Sequence, residues 1–232
     1  MISKQLPNLI SDKATLTILK KIGYVSGSLY DFKVGANDDF SLELADKPER
    51  KWLIIVERSH YFESVKDYPI GDIRDLRKVL KNQSVGYPYK GQIFHRIQRV
   101  AEGIHRVTTW VIKAEIVGQL ANRAKWLVPE SACLAKISKA GVLALTLNDK
   151  VLYVTETANG LISSLGREED FLRIAGVERE YSVALSDGSV RKKVNSVSGG
   201  DAIAIVLMGL ADLFKTHPLI FFTGTDYLGF GD

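Results

Sequence analysis

The sequence predicts an α/β fold with mixed sheets, and two observations carry this prediction. Short apolar runs typical of strands alternate along the chain with segments of helical periodicity. Of the 232 residues, 46% are hydrophobic and 25% are charged, as in an ordinary globular protein. A chain of this length can form one large domain or two small ones.

The first half is predicted to consist of hairpins and short helices. Asp72 is the expected N-cap of one helix, because Ile73, Leu76 and Leu80 follow it near helical spacing and should face the core. The strand at 61–65 is expected to pair with the strand before it. In chain order we predict a helix at 14–22, strands at 29–34, 40–44, 52–56 and 61–65, a helix at 73–80, a hairpin of 93–100 with 106–112, a helix at 114–124 and a strand at 125–128.

In the second half of the chain, turn and cap residues mark the ends of the elements more clearly. Asn148-Asp149 separates two alternating runs and is typical of a two-residue hairpin turn. Acidic residues at 168–170 suit a helix N-terminus, and Gly176 suits its C-terminal cap. We predict strands at 142–147, 151–155 and 160–165, a helix at 167–175, a strand at 181–185, a helix at 202–214 and a strand at 219–222.

This order, β-β-β-α-β-α-β, is that of a ribonuclease H-like lobe, the unit that is duplicated in actin-like folds. Residues 51–128 show a similar mix of hairpins and helices, although no repeat is visible in the sequence itself. We therefore expect a first actin-like lobe with an N-terminal extension at 1–135 and a second lobe at 136–232.

Nucleotide binding is the first chemistry that such lobes suggest. An actin-like ATPase wraps phosphates with glycine-rich hairpin turns, but the turn at Asn148-Asp149 has no glycine. A plain hairpin is therefore the favoured interpretation, and Asp149 remains a candidate nucleotide contact. Gly199 and Gly200 precede an apolar helix and are the other candidates, with an ordinary loop capped by Ser198 or Asp201 as the favoured alternative.

Other chemistry finds little support in the sequence. The four histidines are scattered, the single Cys133 follows an apolar strand and should pack as a small hydrophobe, and the strand at 142–147 carries no carboxylate for a two-metal nuclease. No phosphate-binding or nucleophile motif is present. We expect no catalytic residue, no metal site and no cofactor.

Positive charge is concentrated in one part of the chain. Residues 66–113 contain about ten Lys or Arg against four Asp or Glu, whereas the net charge of the whole chain is +4. On the predicted helix at 73–80, the basic residues lie off the apolar face. They are candidate contacts for an acidic partner or a lipid headgroup, with a solvated helix face as the alternative: Arg74, Arg77, Lys78 and Lys81. Nucleic acid is disfavoured, because no stacking aromatics are interleaved with these charges.

Three motifs in the middle of the chain resemble a known family. They are Asp75-Leu76-Arg77 with Leu80, the loop Tyr87-Pro88-Tyr89, and Val128-Pro129-Glu130 after the next helix. Their order resembles the cytoplasmic domain of the L component of bacterial type II secretion systems and related PilM-like pilus-assembly proteins. The resemblance covers roughly residues 50–165.

This resemblance implies an actin-like fold without ATPase activity on the cytoplasmic side of the inner membrane. Its implied role is a scaffold that docks an assembly ATPase to the membrane platform. The implied partners are the secretion or pilus-assembly ATPase and a bitopic platform protein, and a homodimer is also compatible with it. Family members usually continue into a membrane span, so the chain is expected to be a truncated form or a soluble relative. The alternative is an actin-like nucleotide-binding ATPase.

Overall fold

The computed structural model describes residues 17–35, 39–46, 49–134, 141–176 and 194–216. Its elements alternate between strands and helices, as the sequence predicts. In chain order they are β1 (Ile22–Ser26), β2 (Ser28–Val34), β3 (Phe40–Leu44), β4 (Lys51–Val56), β5 (Tyr61–Tyr68), α1 (Ile73–Asn82), β6 (Gly91–Ala101), β7 (Ile104–Lys113), α2 (Ala114–Leu120), β8 (Ala124–Pro129), α3 (Glu130–Leu134), β9 (Leu143–Leu147), β10 (Lys150–Thr157), β11 (Gly160–Leu165), α4 (Glu168–Ile174), β12 (Asn195–Ser198) and α5 (Gly199–Thr216).

Two of the sheets share one topology. The first has the order β3-β2-β1-β4-β8, in which β1 to β3 form an antiparallel meander, β4 pairs parallel to β1, and β8 pairs parallel to β4. The second has the order β11-β10-β9-β12, again an antiparallel meander with a later strand, β12, parallel to its first strand. This repeated arrangement confirms the predicted α/β class with duplicated ribonuclease H-like lobes. The exact division at 135/136 stays a prediction.

A third sheet, with the order β5-β7-β6, is inserted between β4 and β8. The predicted pairing of residues 61–65 with the preceding strand is therefore wrong. Both sides of β4 are taken by β1 and β8, and the 3-10 turn Arg58–His60 leads the chain away into this separate sheet.

Helix α1 packs on the inserted sheet through a narrow apolar stripe. Leu76 and Leu80 are buried together with Tyr68 and Val107. The Arg74 amide donates a 2.6 Å hydrogen bond to the Asp72 carboxylate, which confirms the predicted N-cap. Ile73, predicted to face the core, is instead 42% exposed.

The main hydrophobic core joins both halves of the chain. Helix α5 packs against α3 and β3, so that apolar residues of 202–213 share one cluster with those of β1, β4 and β8. The approach is close, since a Cβ on Gly209 would lie 1.7 Å from the Cys133 carbonyl oxygen. Cys133 itself is buried in this contact, as the sequence predicts, and its burial raises the pKa of its thiol.

Several other elements begin or end at residues that differ from the predicted ones. The helix predicted at 14–22 is helical only over 17–19 among its described residues, and Ile22 begins β1. The helix predicted at 114–124 ends at Leu120, because Ala124 already pairs with Lys51 in β8. The predicted strands at 181–185 and 219–222 lie outside the described residues.

Candidate functional site

The carboxyl ends of the parallel strands are where open α/β sheets bind their ligands. In this chain, β1 ends at the Gly27 turn, β4 is followed by Glu57, and β8 is followed by Glu130. The β9–β10 turn of the second sheet meets this edge through Lys150. We therefore treat the region between the two hairpin turns, here called the cleft, as the candidate site.

An ion pair crosses the cleft between the two sheets. The Lys150 Nζ lies 2.8 Å from Glu57 Oε1 and donates a 2.9 Å hydrogen bond to Oε2. Ser59 Oγ also donates to Oε2 of this carboxylate, and the Glu57 side chain is only 2% exposed. A carboxylate that is buried this deeply depends on its cationic partner, because removing the partner would leave an unpaired buried charge.

The backbone amide of the first hairpin turn is also occupied. Gly27 N donates to His60 Nε2 at 3.2 Å, so that this ring nitrogen must be unprotonated. Burial lowers the pKa of His60, and the nearby Glu57 opposes this effect only in part. In an actin-like ATPase the backbone N–H groups of this turn would bind phosphate. Here a neutral imidazole accepts that hydrogen bond.

Arg58, in the 3-10 turn that follows β4 of the first sheet, forms hydrogen bonds to β11 of the second sheet. Its Nε donates to the carbonyl oxygen of Ser163 at 3.2 Å and to its Oγ at 2.8 Å. Its Nη1 donates to the carbonyl oxygen of Tyr61, and the guanidinium carbon lies 5.1 Å from the centre of the Tyr61 ring. The guanidinium is thereby oriented by groups of the second sheet and of the inserted sheet.

Glu63 on β5 is the acceptor at the centre of a second network. It accepts hydrogen bonds from Ser163 Oγ at 2.8 Å, from Trp110 Nε1 at 2.7 Å and from Ser131 Oγ. The Tyr61 hydroxyl completes the network by accepting from the Ser131 amide. A network with its polar groups satisfied in this way holds its elements in one arrangement.

Glu130 is the most perturbed acid of the cleft. Its Oε1 accepts from the Tyr24 hydroxyl at 2.9 Å and its Oε2 from the Arg58 amide at 3.3 Å. Burial raises the pKa of this carboxyl to about 7, and the negative charge of Glu57 adds to the shift, while the two hydrogen bonds oppose it. A carboxyl poised near neutral pH can serve general acid–base chemistry, but it also occurs in structural networks.

The candidate nucleotide contacts do not form a phosphate site. Asn148 and Asp149 both have positive φ, 46° and 61°, as a tight primed hairpin turn requires, and Asp149 is exposed. Residues 195–198, predicted as a loop, form β12, and the helix begins at Gly199, so that Ser198, one of the two predicted caps, directly precedes the helix. A Cβ on Gly200 would lie 2.0 Å from Asp39 Oδ1, so this glycine permits close packing on β3 beside a carboxylate that would repel phosphate.

The predicted basic contacts lie on a different surface. Arg74, Arg77, Lys78 and Lys81 are all exposed on α1, on the side of the inserted sheet away from the cleft network. Lys78 Nζ donates a 2.9 Å hydrogen bond to Asp75, which raises the pKa of the lysine. The helix thus presents a basic surface that the fold itself does not need for core packing.

None of the predicted site residues belongs to the cleft network, although part of the network has a signal in the sequence. Glu57 and Glu130 each follow directly after a buried strand, and polar residues at the ends of parallel strands meet at one edge of a sheet. Glu63, Ser131 and Ser163 carry no such signal, because they become neighbours only through the tertiary fold.

The described part of the chain contains neither a cluster of metal ligands nor a membrane-spanning helix. Within 17–35, 39–46, 49–134, 141–176 and 194–216, no group of three or more His, Cys, Asp or Glu side chains is arranged to hold a metal ion. In the same ranges, no helix has both the length and the apolar character that crossing a bilayer demands.

The sheets define a fold with duplicated ribonuclease H-like lobes, as in actin-like folds, and the amide of its first hairpin turn is engaged by the side chain of His60. No model of a known protein family and no curated protein matches the chain. Among solved structures, the chain is similar to the cytoplasmic domain of EpsL, an inner-membrane component of the type II secretion system of Vibrio cholerae. That match has 9% identity and a TM-score of 0.49, and it covers 82% of this chain and 94% of the other.

A second similar structure is a protein of Bacteroides thetaiotaomicron with an actin-like ATPase fold and unknown function. It has 10% identity and a TM-score of 0.37, over 89% of this chain and 90% of the other. At such identities the likeness concerns the arrangement of elements.

Proposed function

We propose that this chain is a non-catalytic scaffold of a bacterial type II secretion or type IV pilus-like assembly platform. It acts on the cytoplasmic side of the inner membrane and docks the assembly ATPase to that platform. The proposal combines the resemblance of the three sequence motifs with the duplicated fold and with the state of the cleft. The platform partner would be a bitopic inner-membrane protein.

The non-catalytic part of the proposal rests on one observation. The groups that would bind phosphate in an actin-like ATPase already have partners within this protein. The Gly27 amide donates to His60, and Lys150, the cation nearest the second turn, is paired with buried Glu57. A nucleotide would have to break this ion pair and leave Glu57 unpaired. The Lys150 side chain is 47% exposed, so that water screens the pair and breaking it costs less than the roughly 3–5 kcal/mol of a fully buried pair. This cost would have to come from the binding energy of the ligand.

The docking part rests on the exposed cations of α1. Arg74, Arg77 and Lys81 project from a helix whose apolar stripe is already covered by the inserted sheet. Cations on a rigid helix can steer and orient an acidic partner, because exposed charges mainly set encounter rate and specificity. The surface is therefore suited to a negatively charged face of the ATPase.

The test measures the affinity of this chain for the assembly ATPase encoded in the same genome. We expect the double variant R74E/R77E to weaken binding by at least about tenfold at low salt, with a smaller effect at ~0.15 M salt, where charges are screened within about 8 Å. The melting temperature should stay nearly unchanged, since surface substitutions of this kind usually alter stability within about 0.5 kcal/mol.

The matched control reverses two exposed cations elsewhere, Lys33 and Arg167. The variant K33E/R167E changes the net charge by the same amount and should bind the ATPase like the wild type. If both double variants lost the same affinity for the ATPase, the cause would be the net charge of the protein and not the α1 surface. Absence of any capture by the wild-type chain would contradict the adaptor role itself.

The alternative, an actin-like nucleotide-binding ATPase, has one observation in its favour. Glu130 lies at the end of a parallel strand with a pKa raised to about 7, which is the range of a general base. Against it, both oxygens of Glu130 already accept hydrogen bonds from Tyr24 and Arg58 inside the protein. Binding of Mg-ATP in the micromolar range would favour this alternative over the scaffold.

A further inference from the structure

The amino ends of the three parallel strands β1, β4 and β8 form an edge of the first sheet that faces away from the cleft. Five exposed cations belong to the residues that enter or begin these strands. They are Lys20, Lys21, Arg50, Arg123 and Lys125. They come from three separate parts of the sequence, so that their proximity is produced by the parallel pairing of the strands.

Backbone contacts fix the neighbourhood of these residues. Trp52 N donates to the carbonyl oxygen of Lys21 at 2.8 Å, and Lys51 N donates to that of Arg123 at 2.7 Å. In register, Leu53 is aligned with Ile22 on one side and with Trp126 on the other. The cations therefore surround the start of the central strand β4.

Apolar side chains lie among these charges. Trp52 is 38% exposed, and Ile18, in the short helical segment 17–19 before β1, is 52% exposed. The Lys125 Nζ lies 5.8 Å from the centre of the partly exposed Trp126 ring. The cavity that Lys20 lines also holds four acids, Asp31, Glu43, Asp46 and Glu49. Asp31 is paired with Lys51 at 2.6 Å and Glu43 with Lys33 at 3.9 Å. Because Lys51 and Lys33 offset these two acids, the five cations of the edge outnumber the remaining Asp46 and Glu49.

We propose that this edge, here called the basic-aromatic edge, binds the surface of a bilayer that contains anionic phospholipids. Indole rings favour the headgroup region of a membrane, where their apolar body and their N–H group are both accommodated. Lys and Arg beside them are attracted by the negative surface potential of the lipid, and an exposed aliphatic side chain adds apolar contact at the headgroup boundary.

Nucleic acid is the other polyanion that such a surface could meet. Base stacking needs aromatic faces that succeed one another along a basic groove. Here the two indoles lie at the same end of the sheet but on opposite faces, because Trp126 is aligned with Leu53 and Trp52 precedes Leu53 in β4. They do not follow one another along a groove, whereas the headgroup region can receive side chains from both faces when the strand ends meet a bilayer. The basic-aromatic edge is also separate from the α1 contact proposed for the ATPase, so its test needs no partner protein.

The experiment measures co-sedimentation of the protein with vesicles. One set contains phosphatidylglycerol and phosphatidylcholine in equal amounts, and the other contains phosphatidylcholine alone. We expect binding to the anionic vesicles only. Each exposed cation near an anionic membrane contributes about a fivefold factor in affinity, so that K21Q/K125Q should reduce partitioning by more than about tenfold. Both residues are exposed, so their replacement should leave the melting temperature unchanged.

The matched control is R74Q/R77Q on α1, which removes the same charge from a surface without indoles and should partition like the wild type. Trp52→Ser tests the aromatic contribution and should weaken binding to the anionic vesicles while the cations remain. Three results would overturn the proposal. The first is an equal loss of vesicle binding in K21Q/K125Q and R74Q/R77Q, and the second is unchanged vesicle binding of K21Q/K125Q. The third is tighter binding of the wild type to a single-stranded oligonucleotide than to the anionic vesicles. Loss of ATPase capture with intact vesicle binding would instead contradict only the proposed scaffold role.

Discussion

Replacement of Glu130 by Gln should change how the stability of the protein depends on pH. Glu130 is completely buried, and its pKa is raised from 4.5 to about 7, first of all by burial. The folded state therefore holds a proton on this carboxyl between about pH 4.5 and 7, where the unfolded chain has released it. The free energy of unfolding that depends on this group is fully present below pH 4.5 and is lost as the pH rises through 7.

The magnitude follows from the two pKa values. At about 1.36 kcal/mol for each pKa unit, the change from 4.5 to about 7 corresponds to about 3 kcal/mol. Gln resembles the protonated carboxyl in shape and retains a carbonyl oxygen as acceptor, but it does not titrate. We expect E130Q and the wild type to have similar stability at pH 4.5, and E130Q to be more stable by about 3 kcal/mol at pH 8.

The assay is urea unfolding across this pH range, and the decisive quantity is the difference between the two proteins. The difference is needed because a second buried group also makes stability depend on pH. Burial lowers the pKa of His95 to about 4, so that its contribution to the free energy of unfolding rises with pH, whereas that of Glu130 falls. His95 is common to both proteins and cancels. The control E102Q removes an exposed carboxylate in the β6–β7 turn, so that the effect of losing one negative charge without burial can be subtracted. A difference between E130Q and the wild type that does not change with pH would refute the reasoning.

Two further predictions concern the interior and the cleft. Gly209→Ala places a Cβ 1.7 Å from the Cys133 carbonyl oxygen and should lower the free energy of unfolding by about 2 kcal/mol or more. The control is Gly118→Ala on α2, where a Cβ meets open space. It should raise the free energy of unfolding by about 0.5–1 kcal/mol, because Ala is the better helix former. Urea unfolding of the two variants checks this, and a loss of the same size in both would show that the close approach of α5 to α3 is not the cause. Titration calorimetry with Mg-ATP should give no saturable heat, because the Gly27 amide and Lys150 already have partners; a micromolar dissociation constant would contradict the scaffold proposal.

The local pattern of the sequence determined most of the elements. The strands at 40–44 and 160–165 have the predicted bounds, and the Asn148-Asp149 hairpin and the Asp72 cap are confirmed. These features depend on residues that are neighbours in the chain, so that propensity, periodicity and turn chemistry are sufficient to predict them. The order of the elements was in turn sufficient to predict the duplicated fold class.

Pairing between distant segments was decided by the tertiary structure. Nothing within 61–65 indicates that it pairs with β7 rather than with β4, because that choice depends on β8, about sixty residues later, occupying the second side of β4. For the same reason β12 was predicted as a loop: its backbone partner is β9, and its own residues, Asn-Ser-Val-Ser, carry little strand signal.

The cleft network and the basic-aromatic edge are properties of the tertiary structure in the same sense. Glu57 and Lys150 are 93 positions apart, and Glu63 and Ser163 are 100 apart, so that no local pattern connects them. Lys21, Trp52 and Lys125 likewise lie in three separate segments that the parallel pairing of β1, β4 and β8 brings to one edge. The sequence by itself determined which elements form and their order, because these depend on short-range interactions. Only the packing of the sheets decided which charges meet, because burial and ion pairing depend on distance in space.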